Sequence, residues 1–403
     1  MQIQSMSVDI AIVGGGLVGA SLAAALAPIM ARNALKVAVI EAATLSRKAP
    51  QSEYQPSFDA RASAIAQGSC EHFRTLGLWP ALAQQAEPIR QIHVSERGRL
   101  GVARLSAEEL SVEALGYVIP NVWLGRVLHQ RLASLDLRWH CPARVEKMTA
   151  TRMGHRLKLS NGEELEAGLT ILADGGRSGL KEQLGIASRE APYEQVAVIA
   201  NLEVSRPHEG VAFERFTTQG PLALLPLSGQ RMELIWTHRA GDEAQTLALE
   251  DGDFLMRLQH AFGDRAGRFR RVGTRHAYPL SLVTAMEPVR PGLAVLGNAA
   301  HALHPVAGQG FNLALRGVMD LIAALETAEA RGSAWGSMTT LGDFEARRTA
   351  DRHNVIRFSD GLIRLFGIDH PLLSHARAAG LVGLNLVGPL RRSLARRAMG
   401  MER

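Results

Sequence analysis

Three glycines spaced for phosphate binding stand near the start of the chain. Gly14, Gly16 and Gly19 form the pattern G-x-G-x-x-G within GGGLVG. Gly14 suits a sharp turn from strand to helix, Gly16 lets a pyrophosphate reach bare backbone, and Gly19 lets the helix lie close on a sheet. The phosphates then rest at a helix N-terminus, where unpaired amides and the macrodipole favour negative charge. Glu41 follows about twenty residues on, the distance at which a carboxylate accepts a ribose hydroxyl. An acid there disfavours a 2′-phosphate, so FAD or NAD fits this site and NADP does not.

Two further clusters lie downstream. Asp174, Gly175, Gly176, Arg177 and Ser178 follow the apolar run Thr170–Leu172; an Asp-Gly turn at a strand end is by itself a structural feature. Gly297 and Asn298 follow Leu293–Leu296, and the segment continues through His301, His304, Pro305, Gly308, Gln309, Gly310, Phe311 and Asn312. His301 and His304 make an H-x-x-H pair, but a metal site needs further ligands at recognisable spacing and none is evident. No metal is expected, and the pair is assigned to packing and hydrogen bonding.

These motifs require elements to hold them. Val8–Val13 reads as a buried parallel strand, Ala20–Met30 as a helix, and Lys36–Ile40 as a second strand ending on Glu41. Leu313–Leu325 reads as the helix after the third cluster. Between 181 and 284 the runs Val196–Val204, Leu222–Leu227 and Met232–Thr237 are short, apolar and separated by turn residues, the signature of an antiparallel sheet. Beyond about residue 350 the chain reads as apolar helix, broken at Pro371 and Pro389. The expected fold is α/β: a Rossmann-like domain in three pieces (1–75, 100–180 and 285–350), a substrate domain (76–99 and 181–284), and a helical region (351–403). The helices are expected to cover the dinucleotide domain or a subunit interface.

Composition narrows the classes. The chain has 403 residues, 46% apolar and 21% charged, ordinary for a globular protein and too apolar for disorder. Cys70 and Cys141 are too few for a disulfide framework, which points to a reducing compartment. Met1–Ser7 has neither a basic nor an apolar signal region, and the chain reads as cytoplasmic. The net charge is +6, with Arg391, Arg392, Arg396, Arg397 and Arg403 in the tail against Glu402. No aromatic residues interleave with these arginines, so nucleic acid is not the expected partner. A solvated helix end remains, or a lipid or partner surface at the inner face of a membrane.

Together the three clusters resemble the group A FAD-dependent aromatic monooxygenases, the para-hydroxybenzoate hydroxylase-like family. The likeness is greatest to its ubiquinone-biosynthesis hydroxylases, and it extends through His93–Gly98, Pro192–Asn201, His208–Thr217 and Gly220–Pro226. There are two departures: Asn298 stands where the family usually has Asp, and Lys181 where Arg often closes the Asp-Gly motif. The resemblance implies FAD as cofactor, with NAD(P)H and O2 as co-substrates, and a para-hydroxybenzoate hydroxylase fold with an antiparallel-sheet substrate domain. It implies FAD contacts at Gly14, Gly16, Gly19, Glu41, Arg61, Asp174, Gly297, Asn298, Gly308, Gly310, Phe311 and Asn312. Pro305, Gly308, Gln309 and Gly310 would wrap the isoalloxazine as the catalytic loop. Amides around Gly308–Phe311 would stabilise charge on the reduced ring, and Pro305 either lies inert beside the reacting oxygen or shapes the loop.

The implied reaction, through a flavin C4a-hydroperoxide, converts 2-polyprenyl-6-methoxyphenol to 2-polyprenyl-6-methoxy-1,4-benzoquinol. The partners implied are a polyprenylated phenol, a ubiquinone-biosynthesis enzyme complex and a lipid-binding protein. Two alternatives share the motifs: a sister hydroxylase acting at another ring carbon, and an isoprenoid reductase on the same fold. A halogenase would carry W-x-W-x-I-P, which LIWTH (Leu234–His238) does not match, and a purely structural role for FAD is the remaining rival. No residue in the sequence identifies itself as the base for the phenol.

Overall fold

The computed structural model describes residues 6–44, 61–368 and 370–401. Strand Met6–Val13 is apolar where it enters the interior, with Ile10, Ala11 and Ile12 fully buried. It forms the middle of a parallel sheet in the order Leu293–Val295, Glu164–Leu172, Met6–Val13, Val37–Ile40 and Leu137–His140. Helix Leu17–Asn33 crosses between the first two of these strands in sequence. Its Leu22, Leu26 and Ile29 pack with Ile10 and Ile12 in the principal core, each such side chain worth about 1.5–3 kcal/mol of burial.

The second sheet has nine strands among the described residues. Eight run in the order His301–Ala302, His276–Ala285, Ser188–Val204, Arg231–Arg239, Gly220–Leu227, Val211–Thr217, Gln91–Glu96 and Val102–Ser106. Pairing is antiparallel except between Val211–Thr217 and Gln91–Glu96, which is parallel. Alternation sends Val198, Leu202, Leu222, Leu224 and Leu234 to one face, where Phe254 and Leu258 of helix Asp251–Phe262 cover them. The opposite face carries the site.

Several expected boundaries move. A cut at residue 100 falls inside the hairpin Gln91–Glu96/Val102–Ser106, which belongs wholly to the second sheet. A cut at residue 350 falls inside helix Met338–Gly367. Helix Gln309–Arg331 is longer than the apolar run suggested, because left-handed Gly308 and Gly332 bound it. Pro371 and Pro389 open helices Pro371–Leu386 and Gly388–Ala398; at a first turn the missing amide leaves no bond unmade.

The two terminal helices lie chiefly on the edge hairpin of the second sheet, and not on the dinucleotide domain, which was one of the two places expected for them beside a subunit interface. Arg377 pairs with Glu96 at 2.6 Å, both well buried. Asn385 donates to the Val102 carbonyl at 2.6 Å and accepts from the Arg104 amide at 3.0 Å. A Cβ on Gly101 would lie 2.4 Å from the Ala378 carbonyl oxygen, so only glycine permits this approach. A backbone bond ties them to the other domain at Gly68, whose amide donates to Met399 O at 2.9 Å.

Candidate active site

The three motifs meet at the carboxyl ends of adjacent parallel strands, where open α/β sheets bind their ligands. Gly14 has φ +104°, and a Cβ there would lie 2.6 Å from the Ala173 carbonyl oxygen. A Cβ on Gly19 would lie 1.9 Å from Gly14 O, so the helix can approach its strand only through glycine. Beside Gly16 there is open space. Helix Leu17–Asn33 has neither a side-chain cap nor an acid in its first turn, so its positive end is left for a ligand anion.

Glu41 is buried, and both its oxygens are engaged. Oε2 accepts from Gly15 N at 2.7 Å and Oε1 from Ala43 N at 2.8 Å. Carboxylate oxygens retain capacity for a further donor, so Glu41 fits the ribose position while also holding the glycine loop. His129 Nε2 lies 2.9 Å from Gly15 O and braces the loop from the other side.

Asp174 turns its carboxylate into its own loop, Oδ1 accepting from Gly176 N at 3.1 Å and Oδ2 from Ser178 N at 3.0 Å. That turn sets Gly176 beside Asn298 and Ala299. Gly297, at φ +60°, packs on Val18 of the first helix, and Asn298 is exposed. Lys181 is buried beside Gly176, with its Nζ donating to Ser188 Oγ at 3.0 Å.

The loop after His304 is held from several directions. His304 Nδ1 accepts from Val306 N at 3.1 Å, which leaves Nε2 as the protonated nitrogen, facing Gln195 Oε1 at 3.3 Å. Burial lowers its pKa to about 4, so the ring is neutral. Among the described residues no three His, Cys, Asp or Glu side chains gather as a metal site. Pro305 begins a tight turn in which Gly308 N donates to Pro305 O at 3.0 Å, so the Gly308 amide is not offered to a ligand. Helix Gln309–Arg331 starts without a side-chain cap, leaving the amides of Gln309, Gly310 and Phe311 at its open end. Gly310 has open space beside it.

Asn312 ties this loop to strand Ala62–Ala66: Oδ1 accepts from Ala66 N at 2.8 Å, and Nδ2 donates to Ala64 O and Gly308 O at 2.8 Å. Gln309 is spent on structure, donating to Ala307 O at 3.3 Å and Ala398 O at 3.2 Å. Phe311 packs against the principal core. Of the DARASA segment, Asp59 and Ala60 lie outside the described residues; Arg61 stacks its guanidinium over Tyr278, 4.6 Å from the ring centre. The glycine turns, the open space at Gly16 and Gly310, and two uncapped helix starts fit a dinucleotide carrying an electron-rich ring.

Next to the loop lies a cavity of about 490 Å³, within the range of small-molecule sites. Ile92, Val94, Leu105, Phe216, Leu381 and Leu384 give it apolar walls from the second sheet and the terminal helices. Phe216 stacks on Phe366 of helix Met338–Gly367, ring centres 3.8 Å apart. Among these walls stands a carboxylate, Glu214, which sequence reasoning passed over. Its signal was present: in VAFERFT an acid occupies the alternating position between Ala212 and Phe216, on a face that otherwise reads as buried. Burial raises its pKa to about 7, opposed by a hydrogen bond from the Ala307 amide.

Residues 7–359 match the family described as FAD binding domain, and the chain belongs to that family. It is an FAD-dependent monooxygenase of the para-hydroxybenzoate hydroxylase type, using NAD(P)H and O2 as the class does. Ubiquinone hydroxylase UbiL of Rhodospirillum rubrum is 37% identical over 396 residues, 97% of this chain and 89% of that protein. The 3-demethoxyubiquinol 3-hydroxylase of Escherichia coli is 32% identical over 396 residues, 98% of each. In three dimensions p-nitrophenol 4-monooxygenase PnpA from Pseudomonas putida superposes with a TM-score of 0.77 at 16% identity, covering 98% of each chain.

Proposed function

We propose that the chain hydroxylates 2-polyprenyl-6-methoxyphenol to 2-polyprenyl-6-methoxy-1,4-benzoquinol in the formation of ubiquinone. The observation that carries this is the mainly apolar cavity beside the loop Pro305–Gly308, with a carboxylate at Glu214 and aliphatic and aromatic side chains over most of its wall. A phenol head needs the former and a prenyl tail the latter. FAD, when bound, supplies oxygen transfer to the ring. The protein's part is to orient and to keep dry: Phe216, Phe366, Leu381 and Leu384 exclude water, and the Asn312 bonds hold the loop against strand Ala62–Ala66.

The relatives named as ubiquinone hydroxylases support the pathway. The Escherichia coli relative is named for the 3-position, which favours a second reading, the same chemistry at another ring carbon. Leu372, Leu386 and Leu390 are exposed on the helices that wall the cavity. With the nearby arginines they form the surface we read as a contact with an anionic membrane, from which a prenyl tail would arrive.

The test is anaerobic reduction of the purified flavoprotein by NADPH, with and without a short-chain 2-prenyl-6-methoxyphenol, followed by air and product analysis. Faster reduction with the phenol and a 1,4-benzoquinol product are expected. Flavin reduction indifferent to the phenol would refute the substrate, and a product oxygenated at another carbon would select the second reading.

A further inference from the structure

Packing does not account for Glu214. Its neighbours on the same face of its strand are Ala212 and Phe216, and its cross-strand partners are Val94 and Ala223. An acid among such groups is costly unless something compensates it. Oε1 has no hydrogen-bond partner among the described residues. Nor does a cation neutralise it: the other ionisable side chain lining the cavity, Arg377, is committed to Glu96 at 2.6 Å.

We propose that Glu214 takes the proton from the hydroxyl of the phenol bound in this cavity, an assignment that rests on reading the cavity as the phenol site. The phenol O–H bond breaks, a new O–H bond forms on the Glu214 carboxylate, and the electron pair stays on the phenol oxygen. From there it enriches the ring carbons ortho and para to that oxygen, where an electrophilic oxygen is accepted. The placement serves this. The Ala307 amide that bonds the carboxylate belongs to the loop Pro305–Gly308, so a phenol oxygen held at Glu214 brings the ring to that loop. The tail is then left to Leu381 and Leu384. A carboxyl held near 7 is also matched to proton transfer at neutral pH.

Glu214→Gln keeps an acceptor for the Ala307 amide and removes the basicity, so it separates this role from a merely structural one. The first readout needs no turnover: the flavin-loaded protein is mixed with the short-chain 2-prenyl-6-methoxyphenol in weak buffer near pH 7, with an indicator dye and no NAD(P)H. The phenol hydroxyl favours the ionised carboxylate, so wild type should release protons on binding and Glu214→Gln should not. The second is kcat/KM against pH. Glu214→Gln should fall about 100-fold at pH 8 and lose the limb near pH 7, while Glu214→Asp recovers part of both. Proton release by Glu214→Gln as large as that of wild type, or a loss equal at every pH, would overturn the assignment. Leu384→Trp, which fills the cavity, tells the two failures apart. If the phenol binds that variant normally, the cavity reading falls and the assignment with it. If binding is blocked there while Glu214→Gln behaves as wild type, only the assignment to Glu214 falls.

Discussion

Replacing Glu214 by glutamine should stabilise the folded protein above neutral pH and leave it unchanged in acid. The carboxyl titrates at about 7 in the folded protein against an ordinary 4.5. Between those values the native state binds the proton and the unfolded chain does not, so the stability of wild type falls as pH rises through that window. Below 4.5 both states are protonated and the term vanishes; above 7 it is complete. At 1.36 kcal/mol per pH unit the difference of about 2.5 comes to about 3 kcal/mol. An unfolding entropy of about 2.1 cal/mol/K per residue, over this chain, converts that to about 4 °C in Tm. Thermal unfolding of both proteins, flavin-loaded and without phenol, from pH 4.5 to 8.5 measures it. The Tm difference should open with pH, the variant becoming the more stable by roughly those 4 °C. Parallel curves with a constant offset would refute the reasoning, because they would mean that the carboxylate is as well solvated folded as unfolded.

Gly19→Ala places a Cβ 1.9 Å from Gly14 O and must push the first helix off its strand, at a cost of about 1–3 kcal/mol or more. It should purify with little flavin absorbance per mole of protein, and full occupancy would contradict the assignment of the glycine loop. Leu372→Gln with Leu386→Gln alters side chains that are 76% and 80% exposed, so Tm should stay within experimental error while flotation with anionic vesicles declines. Unchanged flotation would remove the membrane surface.

No helix among the described residues is long and apolar enough to cross a bilayer, so any membrane contact must be made by a surface. The exposed leucines lie on the helices that wall the cavity proposed for the substrate. Entry of a prenyl tail and contact with lipid would therefore use the same elements. Arg377, pinned to Glu96, fixes the inner end of that wall.

The sequence alone determined the dinucleotide end of the molecule. Strand, glycine turn, helix and acid are local in the chain, and each part is selected by backbone geometry that only a few residue types satisfy. Gly14 at φ +104° and Gly19 against Gly14 O are such positions. The antiparallel runs between 181 and 284 were legible for the same reason, since alternation is written residue by residue. What only the tertiary structure decided is what faces what. The Lys181 ammonium turns inward to Ser188, and Gln309 spends its amide on Ala307 and Ala398. The terminal helices lie on the edge hairpin through Arg377, Asn385 and Gly101. Glu214 becomes meaningful only because Val94, Phe216, Leu381 and Leu384, brought from distant parts of the chain, surround it and remove its water. Alternation marks Glu214 as an acid on a buried face, but its desolvation is a property of the assembled neighbourhood, which only the fold supplies.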